Sequence, residues 1–201
     1  MTRGTQRINK TLGNEGNSSL ISGKKLIEIQ DYLPFLKDKE TTMENGIIEP
    51  LVLRFLAEPG DVNFGGKVHG GAVMKWIDQA GYACAVNWCG GYAVTVYVGG
   101  IRFLNPIHIG NLVEIRAKVI YTGTSSMHIA VDVFSKKPEK KEYKHTTHCI
   151  IIFVALDEDA KPVAVPHFDP SSEEEKKLSR YAIRLMDLRK GIEAEMEDYK
   201  K

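Results

Sequence analysis

The stretch that decides the fold runs from Asp61 to Val86 and reads DVNFGGKVHGGAVMKWIDQAGYACAV. Four glycines, Gly65, Gly66, Gly70 and Gly71, precede an apolar segment. In that segment Val73, Ile77, Cys84 and Trp88 recur at helical spacing, with Ala80 and Gly81 between them. Apolar residues at this period predict a helix over 71–88. CGGY, Cys89 to Tyr92, supplies the glycine stop. The small residues Gly71, Ala72, Ala80, Gly81, Ala83 and Ala85 would let another layer approach closely. One carboxylate, Asp78, stands in the middle of this helix. It either points to solvent or is held at a site.

Working outward, the period changes to two, which predicts strands. Upstream, GIIEPLVLRFLAEP reads as a strand from Ile47 to Leu56, with Pro50 marking an edge or bulge. Downstream, YAVTVYVGGIRFLNP is a strand interrupted by a double glycine, the mark of a bulge. NLVEIRAKVIYTG alternates Val113, Ile115, Ala117 and Val119 against Glu114, Arg116 and Lys118, one buried face and one wet face. SSMHIAVDVFSKK alternates likewise, and THCIIIFVALDED is apolar enough to be covered on both faces. NPIHIGN, TGTSS and KKPEKKE are the turns. After Ser171 and Ser172, Leu178, Leu185, Ile192 and Tyr199 repeat every seventh residue, with Tyr181 and Leu188 between. That predicts a C-terminal amphipathic helix, its first turn made acidic by Glu173 to Glu175. One long helix and one antiparallel sheet give an α+β layer fold. A curved antiparallel sheet wrapped around one long central helix is the hot-dog fold, here with the C-terminal helix added.

The 201 residues suffice for one domain with tails, and a formal net charge of +1 gives no field for nucleic acid or an anionic membrane. No apolar run reaches the length of a membrane span. Cys84, Cys89 and Cys149 form no CxxC and close no disulfide framework, which fits reduced thiols in a cytoplasmic setting. Residues 1–25 are polar and predicted to be disordered, and KKLIEIQDYLPFLKDKE could add a short helix. The basic, acid-poor start weakly resembles a mitochondrial transit peptide.

Glycines leave backbone N–H groups open, and a helix that starts near Gly71 has unpaired N–H groups with a partial positive charge. Such an end can stabilise a developing oxyanion. Asp78 lies about two turns further on, and a carboxylate beside a reacting carbonyl serves as general base or nucleophile. Met74, Tyr82 and Ala85 share roughly its face, so partial desolvation of the carboxylate is expected. On pattern alone a solvated Asp78 is the simpler reading, and the loop lacks the GxxxxGK[ST] of a phosphate-binding P-loop. His145 and His148 are three apart, which in a regular strand puts them on opposite faces, and no set of metal ligands converges. Cys84 is most simply core packing.

DVNFGGKVHGGAVMKWIDQAG, IRFLNPIHIGNLVEIRAKVIYTGTSSMHIAVDV and FVALDEDAKPVAVP, in this order, resemble hot-dog acyl-CoA thioesterases. The resemblance is to the acyl-CoA hydrolase branch that includes the cytosolic brain-type enzymes, and it runs from about Leu51 to Pro166. It implies an extension over 1–45, a thioesterase domain over 46–168 and a C-terminal helix over 169–201. It implies hydrolysis of fatty or other acyl-CoA to free CoA and a carboxylic acid, within lipid metabolism. No metal or redox cofactor is needed, and coenzyme A is part of substrate and product. Asp78 matches the family's general base or nucleophile, which activates water or forms a transient anhydride. Asn63 matches an asparagine usually supplied by the neighbouring subunit, although Asn in loops often only shapes turns. The backbone N–H groups of Gly70 and Gly71 match those that polarise the thioester carbonyl.

His69 beside them could orient substrate or support the loop. Gly123, Thr124, Ser125 and Ser126 are candidate coenzyme A contacts, although Thr124 stands where many relatives have Arg, so a phosphate or pantetheine contact is lost or made differently there. Arg54 could meet the phosphates, as could Lys136, Lys137, Lys140 and Lys141, although a solvated loop is the simpler account of the lysines. Tyr82, Trp76 and Trp88 are candidates for shortening the acyl tunnel. The resemblance further implies dimers joined edge to edge, often assembled as trimers of dimers, a hexamer. Two other readings remain: a non-catalytic acyl-CoA sensor, and a hot-dog dehydratase or hydratase, which would need a His–acid pair over the substrate.

Overall fold

The computed structural model describes residues 50–197 and residue 199. The expectations for the N-terminal extension, including the helix near Pro34 and a first strand beginning at Ile47, lie outside the described residues. The elements in order are β1 (Leu51–Leu56), a 3-10 turn (Pro59–Asp61), α1 (Gly70–Cys89), β2 (Ala93–Phe103), β3 (Leu112–Thr122), β4 (Ser126–Lys136), β5 (Lys144–Ala155) and α2 (Glu173–Glu197).

The strands form one antiparallel sheet in the order β1-β3-β4-β5-β2, with β1 and β2 at its edges among the described residues. α1 extends one residue beyond the predicted helix at each end. Gly90 stops it with φ 68°, a left-handed conformation that glycine takes without strain, and donates its N–H to Val86 O. Its buried face, Val73, Ile77, Ala80, Gly81, Cys84 and Ala85, lies on one side of the sheet. There it meets the alternating residues of β3, β4 and β5, among them Ile115, Ala117, Met127, Ile129, Ile151 and Phe153. The layers touch most closely at Gly81, where a Cβ would stand 2.9 Å from both Ile151 and Phe153. The double glycine of β2 makes the expected bulge, with a register shift between Gly99 and Arg102 and Gly100 at φ 64°.

The other face of the sheet is not the wet surface that the alternation predicts. α2 returns across it, and Ala182, Leu178 and Leu185 pack on Ile120, Ala130 and Ile150. Glu114 on this face is only 1% exposed and lies between Arg54 and Arg116. Burial pushes its carboxyl up, but the two guanidinium groups outweigh that and hold it below its ordinary value. Lys118 reaches Glu174 at the start of α2, 2.8 Å away. Ser172 Oγ accepts the Glu175 N–H, and the Glu175 carboxylate accepts the Ser172 N–H, a reciprocal cap.

The two histidines of β5 also depart from expectation. Val133 pairs with Thr147 but Phe134 pairs with His145, so Thr146 is an extra residue in β5. This bulge reverses the alternation once and brings His145 and His148 to the same outer face. No helix among the described residues is long and apolar enough to cross a membrane.

Candidate active site

The loop before α1 is shaped by its own side chains. Asn63 Oδ1 accepts the N–H groups of Gly65 (2.9 Å) and Lys67 (3.3 Å), so the turn-shaping role of this residue is present. The Asp61 carboxylate accepts the Glu58 N–H. Two backbone bonds fix the loop: His69 N–H to Asp61 O at 2.7 Å and Val68 N–H to Ile107 O at 2.9 Å. His69 occupies the N-cap position and makes no capping bond with its side chain. The N–H groups of Gly70 and Gly71, in the first turn of α1, point away from any intrahelical acceptor. Gly70 at this helix start borders a cleft of about 330 Å³, together with Asn63, Val73, Phe103 and Ile107. A second cleft of about 580 Å³ shares Asn105 and Pro106 with the first and is bordered by Lys136, Lys137, Lys140, Lys141 and Lys144.

Asp78 sits eight residues after Gly70, about 12 Å along the helix axis at 1.5 Å per residue. Its Oδ1 accepts a 2.7 Å hydrogen bond from the hydroxyl of Thr95 on β2. The side chain is exposed, and so are Met74 (47%) and Tyr82 (39%) on the same face, although Ala85 is fully buried. The expected desolvation of Asp78 is therefore not provided within one chain. Thr95 is the residue that the sequence reading missed. It lies in a different element from Asp78 and becomes its neighbour only through the packing of α1 against β2.

The remaining candidates are spread over the molecule. Arg54 is engaged with Glu114 on the outer face of the sheet, opposite α1. Gly123, Thr124, Ser125 and Ser126 form the β3–β4 turn, closed by Gly123 N–H to Ser126 O. Thr124 O and Ser125 O accept the N–H groups of Val165 and Ala155. β3 separates this turn from the helix start by 11 residues, roughly 35 Å of strand. Trp88 Nε1 donates to Pro166 O at 3.0 Å and Trp76 packs edge-on to Phe55, so Tyr82 alone of the three tunnel candidates stays on the Asp78 face. Burial pushes the thiols of Cys84 and Cys149 up to about 12, which leaves them protonated and inert at neutral pH.

A long helix on the inner face of an open antiparallel sheet, with a glycine-lined start and an exposed carboxylate two turns on, defines a hot-dog protein with a candidate acyl-transfer site. The sequence profile of the thioesterase superfamily matches residues 65–142. The acyl-CoA thioester hydrolase YciA of Salmonella typhimurium is 39% identical over 130 residues, 63% of this chain and 97% of that protein. A hexameric acyl-CoA thioesterase, solved in its apo form, is 31% identical and superposes with a TM-score of 0.70, covering 72% of this chain and 93% of that one. An acyl-CoA hydrolase of Staphylococcus aureus with coenzyme A bound is 27% identical, with a TM-score of 0.71 over 75% of this chain and 90% of that one. That enzyme has been solved with an asparagine, an aspartate or a threonine replaced by alanine. The chain belongs to the thioesterase superfamily, as a hot-dog acyl-CoA thioesterase.

Proposed function

We propose that this protein hydrolyses acyl-CoA thioesters with Asp78 as the carboxylate that activates water or attacks the carbonyl. One observation carries the assignment: an exposed carboxylate inside the central helix, oriented by the Thr95 hydroxyl at 2.7 Å. The intervals support it. In the Staphylococcus aureus enzyme the replaced asparagine and aspartate lie 15 residues apart, and the aspartate and threonine 17 apart. Asn63, Asp78 and Thr95 stand at the same two intervals.

The amides of Gly70 and Gly71 supply the oxyanion site. An oxyanion donor must come within about 3 Å of the carbonyl oxygen, and the attacking group within about 3.5 Å of the carbon. Some 12 Å of helix separate Gly70 from Asp78 in one chain. The complete site therefore takes its oxyanion donors and its carboxylate from two subunits. Asn63 lines the cleft at Gly70, and its side-chain amide nitrogen, which has no acceptor among the described residues, is the donor that holds the carbonyl or the water. The lysine-bordered cleft that adjoins this one suits the phosphates of coenzyme A. The β3–β4 turn, Gly123 to Ser126, is too far from its own helix start to join it, so it contacts coenzyme A from a neighbouring subunit. A dimer through β2 is the assembly this two-subunit site requires, and three such dimers would make a hexamer like those of its relatives.

Release of free thiol from acyl-CoAs of short to long chain tests the reading. Wild type is expected to release thiol, and Asp78→Asn to lose a hundredfold or more in kcat, in the range of acid–base contributions of roughly 10² to 10⁴, with coenzyme A binding intact. Intact binding without turnover in the wild type would favour an acyl-CoA sensor, and full turnover in Asp78→Asn would remove the mechanism.

A further inference from the structure

The outer face of the sheet carries a second cluster of chemically active side chains. Asp132 on β4 stands opposite His148 on β5, and its Oδ1 lies 2.8 Å from His148 Nδ1 and 2.8 Å from His145 Nε2. The three potential donor atoms all lie within 4.8 Å of one another. We propose that Asp132, His145 and His148 bind a divalent transition-metal ion, with Zn²⁺ the best match, at a site separate from the hydrolytic one.

The backbone supports a built arrangement. Were Thr146 paired in a regular ladder instead of bulged, His145 would face the core side and the cluster would be a single His–Asp pair. Thr146 is fully buried and donates its hydroxyl to Val133 O at 2.8 Å, which locks the bulge. The rings are held by packing: His145 lies on the Phe134 ring at 4.9 Å between centroids, and His148 faces Tyr181 of α2 at 6.3 Å. In a four-coordinate zinc site the ligands sit about 2.0–2.2 Å from the ion, and so roughly 3.3 Å from one another. The two hydrogen-bonded pairs need to open by about half an ångström, and the two imidazole nitrogens, within 4.8 Å of each other, need to close to the same spacing.

The chemistry of the set selects the ion. Two imidazole nitrogens and one carboxylate favour zinc and its neighbours over magnesium or calcium, which prefer all-oxygen shells. Arg116 stands opposite Asp132 across β3 and β4, and it shares the Glu114 carboxylate with Arg54. The side chains are 22–37% exposed, so an ion can enter and water can complete the shell. Asp78 and Thr95 lie on the α1 side of the sheet, so no step of hydrolysis passes through this ion. It would pin β4 to β5 beneath α2.

The test uses the untagged, full-length protein, freed of metal by dialysis against a chelator and titrated with Zn²⁺ in a calorimeter. One equivalent per chain is expected. His145→Gln, His148→Gln and Asp132→Asn are each expected to weaken it at least tenfold, while His167→Gln leaves it unchanged. Co²⁺ in place of Zn²⁺ should give the visible absorption of a four-coordinate site, lost in His148→Gln. Circular dichroism and thiol release, unchanged in His145→Gln, establish that the variant is folded. Absence of saturable binding in the wild type, or binding that survives in both histidine variants, would overturn the proposal.

Discussion

At the scale of single residues, Asp78 depends on one partner. A hydrogen bond to an ionised group contributes about 1.5–3 kcal/mol, and this one also fixes which carboxylate oxygen stays free. In the proposed mechanism Thr95 is a positioning residue, since it would act through Asp78. Thr95→Val is expected to lower kcat about tenfold or more with KM little changed, and Thr95→Ser to restore most of it. Equal losses in the Val and Ser variants would show that the methyl packing matters and not the hydroxyl. Asp78 itself was only half legible in the sequence. Its helical setting follows from periodicity, but pattern alone favours a solvated side chain, and family resemblance tipped the balance. Thr95 was not legible, because no local pattern links a strand residue to a helix residue 17 positions earlier. His145 and His148 were misread for the opposite reason. Strict alternation was applied across a bulge whose cause, a buried threonine bonded to the neighbouring strand, leaves no mark in the local sequence.

At the scale of elements, α1 and β2 to β5 were legible because each is a long periodic or apolar run with a glycine or turn signal at its ends, even where a bulge shifts the register. The docking of α2 was not, since its apolar heptad says only that some surface is covered. Its first half, through Leu178, Ala182 and Leu185, lies on the sheet, whereas Leu188, Ile192 and Met196 are 51–56% exposed. Beneath this helix lies His128, 2% exposed, edge-on to Tyr121 and near the positive charge of Arg189. Burial, with Arg189 adding to it, lowers the His128 pKa to about 4 from an ordinary 6.5. The ring is thus neutral in the folded protein down to about pH 4, while the unfolded chain takes up a proton below about 6.5. Between these values the unfolded state binds more protons, so stability falls as pH falls. Going from pH about 7 to about 5, the wild type is expected to lose about 2 kcal/mol more than His128→Leu, measured by urea denaturation at both pH values. The carboxylates of Glu114 and Asp132 have lowered values, so their contribution fades only below about pH 4 and does not overlap this window. An equal loss in both proteins would mean that His128 is not the group that titrates.

At the scale of the whole molecule, one chain lacks part of what its site requires. The carboxylate is exposed, the proposed oxyanion donors are about 12 Å from it along the helix, and, among the described residues, the sheet ends in an unpaired strand beside it. That strand, β2, carries Thr95 and presents Val96, Val98 and Phe103 at 51%, 45% and 55% exposure. An open edge with large apolar side chains is a pairing surface unless something blocks it. In the proposed dimer a two-fold axis through β2 would reverse the partner, so the start of one central helix would meet the carboxylate of the other, and two equivalent sites would form at once. Val98 is the sixth of the eleven residues of β2, at the centre of such a pairing. Val98→Lys places a charge there, and the assembly is expected to fall to monomers in sedimentation velocity. Turnover should fall with it, although Asp78, Thr95 and Asn63 are all retained. Adding the Asp78→Asn chain to a chain altered only at Gly70 makes the same argument in reverse. If each site draws on both subunits, mixed dimers regain one intact site and part of the activity, whereas sites complete within one chain would stay dead in every combination.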